Sequence, residues 1–247
     1  MKHVIFILFC CFLSFFARSQ DSTFKKGVEA LAEKNFETAH NLFTQDIAAA
    51  PSFSSFYNLG VAASKQKNWN EARWAFESAL KYKPLNGNAQ FNAEFSAHQL
   101  NKNVTWTHPY SWLERIIFGF GETVWVIISI VSAIALGILL FIGIGKSIPA
   151  TQRTWGLRLF IPTALLLFIG MYSIQSINSH FKTSKYALQL PEKVNTYLSP
   201  NGVQADQIVE GYQRLSIIAY SKDSSFIRVK TLAGSPSWIE SGDVLTY

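Results

Sequence analysis

The residues best suited to catalysis are few in this chain, and their spacing does not bring them together. His3, His40, His98, His108 and His180 include no His-x-x-x-His or His-x-x-Glu pair that would set two metal ligands on one helical face. Glu114 and Glu122 stand eight residues apart beside an apolar run, where carboxylates read as boundary charges rather than as a general acid and base. Gly119-Phe120-Gly121 has neither the preceding strand nor the remaining glycine of a dinucleotide loop, and reads as a flexible joint. No catalytic, metal or cofactor set is expected, and the chain is read as a non-enzyme. Binding chemistry is better represented. Tyr57-Asn58 and Lys65 precede a similar group, Phe91-Asn92 with Phe95 and Gln99, at an offset of 34 residues. Amide side chains can bond a peptide backbone, aromatic rings supply apolar contact, and Lys65 offers a charge for a carboxylate. A second aromatic group, Tyr197, Tyr212, Tyr220 and Trp238, lies near the C-terminus.

The elements that carry these residues follow from composition. The 247 residues are 49% hydrophobic, 15% aromatic and only 15% charged, which points to a membrane protein. The net charge of +6 is not spread evenly. Residues 20–101 hold eight bases against eight acids, and 181–247 hold seven against six, which leaves seven bases and two acids for the leader and the apolar middle. That is where topology signals sit, so nucleic acid is not an expected partner. Residues 1–19 read as a signal peptide: Lys2 and His3 lead, Val4 to Phe16 is apolar, and Ala17-Arg18-Ser19 has small residues at cleavage spacing. Cys10 and Cys11 both lie inside it, so cleavage after Ser19 removes every thiol.

Residues 20–101 contain an internal repeat. Gly27, Ala39, Phe43 and Pro51 match Gly60, Ala72, Phe76 and Pro84 at one offset of 33 residues. The second copy, with Leu59-Gly60, Trp69, Ala72, Phe76, Ala79 and Pro84, follows the tetratricopeptide pattern. Gly60 and Ala72 are small where two helices cross closely, and Pro84 stops the second helix. Residues 88–100 supply a capping helix that closes the stack. In such a stack the first helix of each repeat lines a concave groove, which would gather Tyr57, Asn58, Val61, Lys65, Phe91, Asn92, Phe95 and Gln99.

Residues 102–123 read as a juxtamembrane linker. Val124 to Ile144 is 21 residues and Leu159 to Ile177 is 19, both uncharged and each long enough for a core of about 30 Å. They predict a two-helix membrane hairpin with Trp125 and Trp155 at interfaces and residues 145–158 as a cytoplasmic loop carrying Lys146, Arg153 and Arg158. Ser129, Ala133 and Gly137 form a small-residue face for close packing with the second span or with a partner. Residues 178–184 are a linker. From 185 to 247 five short β-rich runs, Tyr186 to Leu190, Val194 to Leu198, Leu215 to Tyr220, Phe226 to Lys230 and Val244 to Tyr247, predict a small barrel. Glu210-Gly211, Gly234 before Trp238-Ile239, and Asp243-Val244 resemble a bacterial SH3-like domain, with Ser237 where that family has glycine. The fold class is thus a multi-domain membrane protein: helical repeats, two spanning helices and a small all-β domain.

That order of parts resembles the BatE-type proteins of the Bacteroides aerotolerance operon family. The resemblance implies membrane-anchored von Willebrand A-domain partners and other products of the same operon, and a role in aerotolerance or stress resistance; the leader and the basic loop predict a place in the bacterial inner membrane with both folded ends periplasmic. The sequence therefore predicts a scaffold. Its rival is a cell-wall tether in which Tyr197, Tyr212, Tyr220 and Trp238 hold peptidoglycan. Transport fits poorly, because Gln175 is the most polar residue within the spans.

Overall fold

The computed structural model describes residues 22–102, 105–145, 148–202, 205–230 and 235–247. The expected signal peptide, Cys10 and Cys11, Lys146 and Gly234 lie outside them. Among the described residues five helices come first: α1 (Ser22–Ala32), α2 (Phe36–Ala49), α3 (Phe53–Lys65), α4 (Trp69–Tyr82) and α5 (Gly87–Leu100). The 33-residue offset recurs as geometry. Asn35 and Asn68 cap α2 and α4 by accepting from the backbone N–H of Thr38 and Glu71. Lys34 and Lys67, just before them, both have φ near +60° and close the turns between paired helices. A Cβ on Gly27 would come within 2.8 Å of the Phe43 ring, and a Cβ on Gly60 within 2.8 Å of the Phe76 ring. Glycine lets each ring lie against the opposing backbone, so α1 packs on α2 as α3 packs on α4.

Two long helices follow, α6 (Trp112–Ile144) and α7 (Ala150–Lys182), packed antiparallel. Both are long and apolar enough to cross a membrane. Helix starts differ from the predicted boundaries because hydropathy marks apolar stretches, not helix ends. The predicted linker 102–123 contains the first turns of α6, opened by a capping box in which Ser111 and Glu114 satisfy each other's backbone N–H groups. The predicted loop 145–158 shrinks to 145–149, since α7 begins at Ala150, and α7 also runs through most of the predicted linker 178–184. The glycine joint is a real break: Gly121 has φ 75° and ψ 165° inside α6. The Trp125 side chain, expected at an interface, is turned into the protein. It is buried against Ile117 and Ile177, and its indole N–H reaches back across the break to the Ile117 carbonyl at 2.8 Å.

Among the described residues the C-terminal domain has seven strands rather than the five expected. They are β1 (Tyr186–Gln189), β2 (Lys193–Thr196), β3 (Gln207–Glu210), β4 (Arg214–Tyr220), β5 (Phe226–Lys230), β6 (Pro236–Glu240) and β7 (Val244–Thr246). One antiparallel sheet has the order β6-β5-β4-β1-β7, and β2 pairs with β3. The two missed strands have weak signals for physical reasons. Only Val209 of β3 is buried, so the strand lacks an apolar alternation. β6 starts on Pro236, which an edge strand tolerates at its first position but which reads as turn in sequence. Tyr197 and Trp238 exchange backbone hydrogen bonds at 2.7 and 2.8 Å and tie the small sheet to β6. Inside lie Ala187, Val194, Val209, Leu215, Ile227, Val229, Ile239 and Val244.

Candidate functional site

The first candidate is a cleft of about 360 Å³ between α3, the start of α4, and α5. Val61, Lys65, Phe91, Asn92 and Phe95 line it, so five of the residues singled out by spacing meet there. Ser64, Trp69, Phe76 and Ser96 complete the wall. Phe91 is 66% exposed and stacks on Phe95, whose other neighbour is the Trp69 ring at 5.8 Å. Tyr57 stands behind the wall: its ring packs edge-on to Phe76, and its hydroxyl accepts from the Asn92 amide at 3.2 Å. Asn92 is thus positioned by Tyr57, while the tyrosine proton remains able to donate. Asn58 is half-buried on α3 and Gln99 is exposed on α5, and neither lines the cleft. Gln99 lies one turn beyond Phe95 on the same stripe of α5, past the end of the cleft. The cleft offers an aromatic shelf, an amide and one free-standing cation, which suits an extended polypeptide.

The second candidate divides the four predicted aromatics of the β-domain. Tyr220 and Trp238 line an open cleft of about 620 Å³ with Asn201, Lys222 and Asp223. Tyr197 adjoins it through its pairing with Trp238, while its ring packs on Phe226. The Arg228 guanidinium lies 5.9 Å from the Trp238 ring. Tyr212 is elsewhere. It occupies a positive-φ position beside Gly211, and its carbonyl accepts from Arg73 of α4 at 2.8 Å. The small-residue face of α6 is also divided. Ser129 faces Gly170 of α7, where a Cβ would meet the Ser129 oxygen, whereas Ala133 and Gly137 are exposed and belong to the outer side of the hairpin. The tight seam is built instead from Trp125, Ser132 and Gly143 against Gly156, Gly170 and Ser173, because the strict four-residue spacing drifts around a 3.6-residue helix.

A buried polar constellation lies outside every expectation from the sequence. Glu77 of α4 is completely buried. Its Oε1 accepts from Arg73 Nε at 3.0 Å, Trp106 Nε1 at 2.8 Å and Arg214 Nη2 at 2.6 Å. Its Oε2 accepts from Arg214 Nε at 2.7 Å and from the Tyr247 hydroxyl. Arg214 also donates to the Thr107 carbonyl and lies over the Trp106 ring. Helical array, connecting segment and β-domain therefore converge on one carboxylate. Around it, Trp74 Nε1 donates to the Thr246 carbonyl at 3.1 Å, and Asn70 donates to the Leu190 carbonyl. In sequence, Arg73 and Glu77 look like an ordinary i,i+4 surface pair, and Arg214 is 137 residues from Glu77. No local signal distinguishes them.

Electrostatics fit a permanent ion cluster. Burial pushes the Glu77 carboxyl up, but Arg214 and Arg73, with the hydrogen bonds from Arg214 and Tyr247, hold it far below the usual carboxylate range. Burial, and then the Glu77 charge, raise the Tyr247 phenol well above its ordinary value, so it stays a donor at neutral pH. Nearby, His108 is lowered chiefly by burial. Its Nε2 lies 2.9 Å from the Pro84 carbonyl, and its Nδ1 lies 2.9 Å from the Tyr110 carbonyl and 3.0 Å from the Tyr110 N–H. Among the described residues no three His, Cys, Asp or Glu side chains gather as a metal set. No family model matches the chain, and no curated protein or solved structure matches it.

Proposed function

We propose that this protein is a non-enzymatic scaffold anchored in a bacterial membrane by α6 and α7, which binds other envelope proteins through the cleft of its helical array. On this reading the array is tetratricopeptide-like and the β-domain is SH3-like. The 33-residue recurrence of glycine against phenylalanine supports the first, and the order of the strand-forming runs supports the second. One observation carries the proposal. The β-domain occupies the side of α4 that bears Asn70, Arg73, Trp74 and Glu77, while the cleft uses Trp69 and Phe76 on another side. The cleft is therefore left open while the two folded modules act as one body. Exposed Phe91 and Phe95 give a partner apolar area to bury, and Lys65 with Asn92 orient it.

A photo-crosslinking amino acid at Phe91 or Phe95 in the native host tests the scaffold. Adducts with membrane-anchored proteins are expected there and not at Val28, an exposed control on α1. Clean absence of adducts at both cleft positions, with the protein inserted at normal abundance, defeats the proposal. Binding of the purified protein to cell-wall sacculi that disappears in Trp238→Ala would favour the tether instead.

A further inference from the structure

Residues 112–120, the segment of α6 before its break, show two contrasting faces. Ile117 and Phe118 are buried against Tyr110, Trp125 and Ile177, whereas Trp112, Leu113, Ile116 and Phe120 are exposed. That outer face continues into the exposed apolar flank of the hairpin at Val124 and Ile127. If the hairpin crosses a bilayer, the segment lies in the headgroup layer, with its apolar side toward the acyl chains.

Behind it, at the same level, is a cleft of about 500 Å³ whose walls include Glu114, Phe118, Gln175, Ser176, Ser179 and Lys185. Glu114 and Lys185 form an ion pair across 71 residues of sequence. The side chains of Gln175, Ser176 and Ser179 make no hydrogen bond among the described residues. Polar groups with unused capacity at the end of an apolar helix point to a ligand that is itself polar at this depth. The charges decide its type. A purely anionic group would meet Glu114 wherever it met Lys185, and a purely cationic group would suffer the converse. A ligand carrying both signs can satisfy both side chains.

We propose that this cleft holds the headgroup of a zwitterionic phospholipid with a primary amine, its phosphate diester on Lys185 and the serine hydroxyls and its ammonium on Glu114. A quaternary ammonium carries the same charge but cannot donate hydrogen bonds to the carboxylate, so an ethanolamine headgroup is favoured over choline. The proposal rests on the membrane-spanning reading of α6 and α7.

The test uses the full chain, purified in detergent and offered equal amounts of dioleoyl phosphatidylethanolamine, phosphatidylglycerol and phosphatidylcholine, with retained lipid counted by native mass spectrometry. Loss of one charge-assisted hydrogen bond corresponds to about tenfold or more in affinity, so ethanolamine lipid is expected to be retained at least about tenfold better than either competitor. Glu114→Gln keeps the capping box and should remove the preference. Ser176→Leu fills the cleft without changing charge and should reduce retention of all three lipids, with the melting temperature of both variants near that of the parent. Equal retention of the three lipids, preference for phosphatidylglycerol, or unchanged selectivity in Glu114→Gln overturns the site. Alkaline washing of native membranes separates the two levels: a chain released by the wash overturns the spanning reading and the site with it. A chain that resists the wash yet lacks lipid selectivity overturns the headgroup site alone.

Discussion

Phe76 and Glu77 are neighbours on α4, both inaccessible to water, and they hold together different things by different physics. Phe76 belongs to the repeat core, where its ring lies on Gly60 and Tyr57 and its partners come from the adjoining helices. Glu77 belongs to the joint between domains, where its partners come from residues up to 170 positions away. The apolar contact grades smoothly with volume. The ionic cluster does not, because a desolvated charge is satisfied only while all its partners are in place. Array cohesion is thus local and tolerant, whereas domain docking is long-range and nearly all-or-none.

The largest expected effects test that contrast directly. Glu77→Ala leaves Arg73 and Arg214 buried without a counter-charge and should cost about 3–5 kcal/mol. Phe76→Ala should cost a similar amount, about 3–5 kcal/mol, through a cavity. Limited proteolysis distinguishes them: Glu77→Ala should separate an intact helical array from the hairpin and β-domain by cleavage in the 105–111 segment, and Phe76→Ala should expose the helical array first. The same digestion pattern for both would erase the distinction. Next in size are Gly60→Ala and Gly27→Ala. Each pushes a methyl group against a phenylalanine ring and should destabilise by about 1–3 kcal/mol in denaturant titrations. Near-equal values would confirm that the two helix pairs are energetic as well as geometric copies, and a neutral Gly27→Ala would break that symmetry.

Acidification probes the joint without mutation. The folded Glu77 carboxyl lies below its usual 4.5, so its stabilisation is present above that value and is lost as pH falls through the acid range. His108 is lowered below its usual 6.5, so the neutral ring favours the folded state above 6.5, and that contribution declines as pH falls. Both act in one direction. Melting temperature should fall gradually from pH 7 toward 5 and more steeply below 4.5; His108→Gln should flatten the upper part and Glu77→Gln the lower. A melting temperature independent of pH between 7 and 4 contradicts the assignment. The smallest effect is expected at the exposed Lys193–Glu210 pair on β2 and β3, where solvent screens both charges. Lys193→Ala should leave the melting temperature unchanged within error, and a clear drop would mean that surface pairing, not only the buried cluster, supports this domain.

Much of the architecture is legible in the chain because its causes are local. Glycine, alanine and phenylalanine at one fixed offset announce helix pairs, since each pair must solve the same packing problem with the same residue sizes. Two uncharged stretches of 21 and 19 residues announce long apolar helices for a similar reason. Of the cleft residues, Val61, Lys65, Phe91, Asn92 and Phe95 could be named from spacing, because helical periodicity carries them to one surface. Asn58 and Gln99 could not be excluded by the same rule, since they share those helical stripes and periodicity gives the face of a helix but not how far along it a cleft extends. Strand β3 was hidden for lack of an apolar alternation, and β6 because it opens on Pro236.

What the sequence by itself determined is therefore every feature whose energetics close within a few helical turns: the paired helices, the apolar hairpin, the break at Gly121 and most of one cleft. Only the tertiary structure decided that the β-domain sits on α4, that Trp106 and Tyr110 of the apparent linker are packing residues, and that Glu77 is the point where three segments meet. The physical reason is that an ion pair has no sequence period. A carboxylate and a guanidinium attract wherever the fold brings them, so their meeting becomes visible only once the chain has been folded around them.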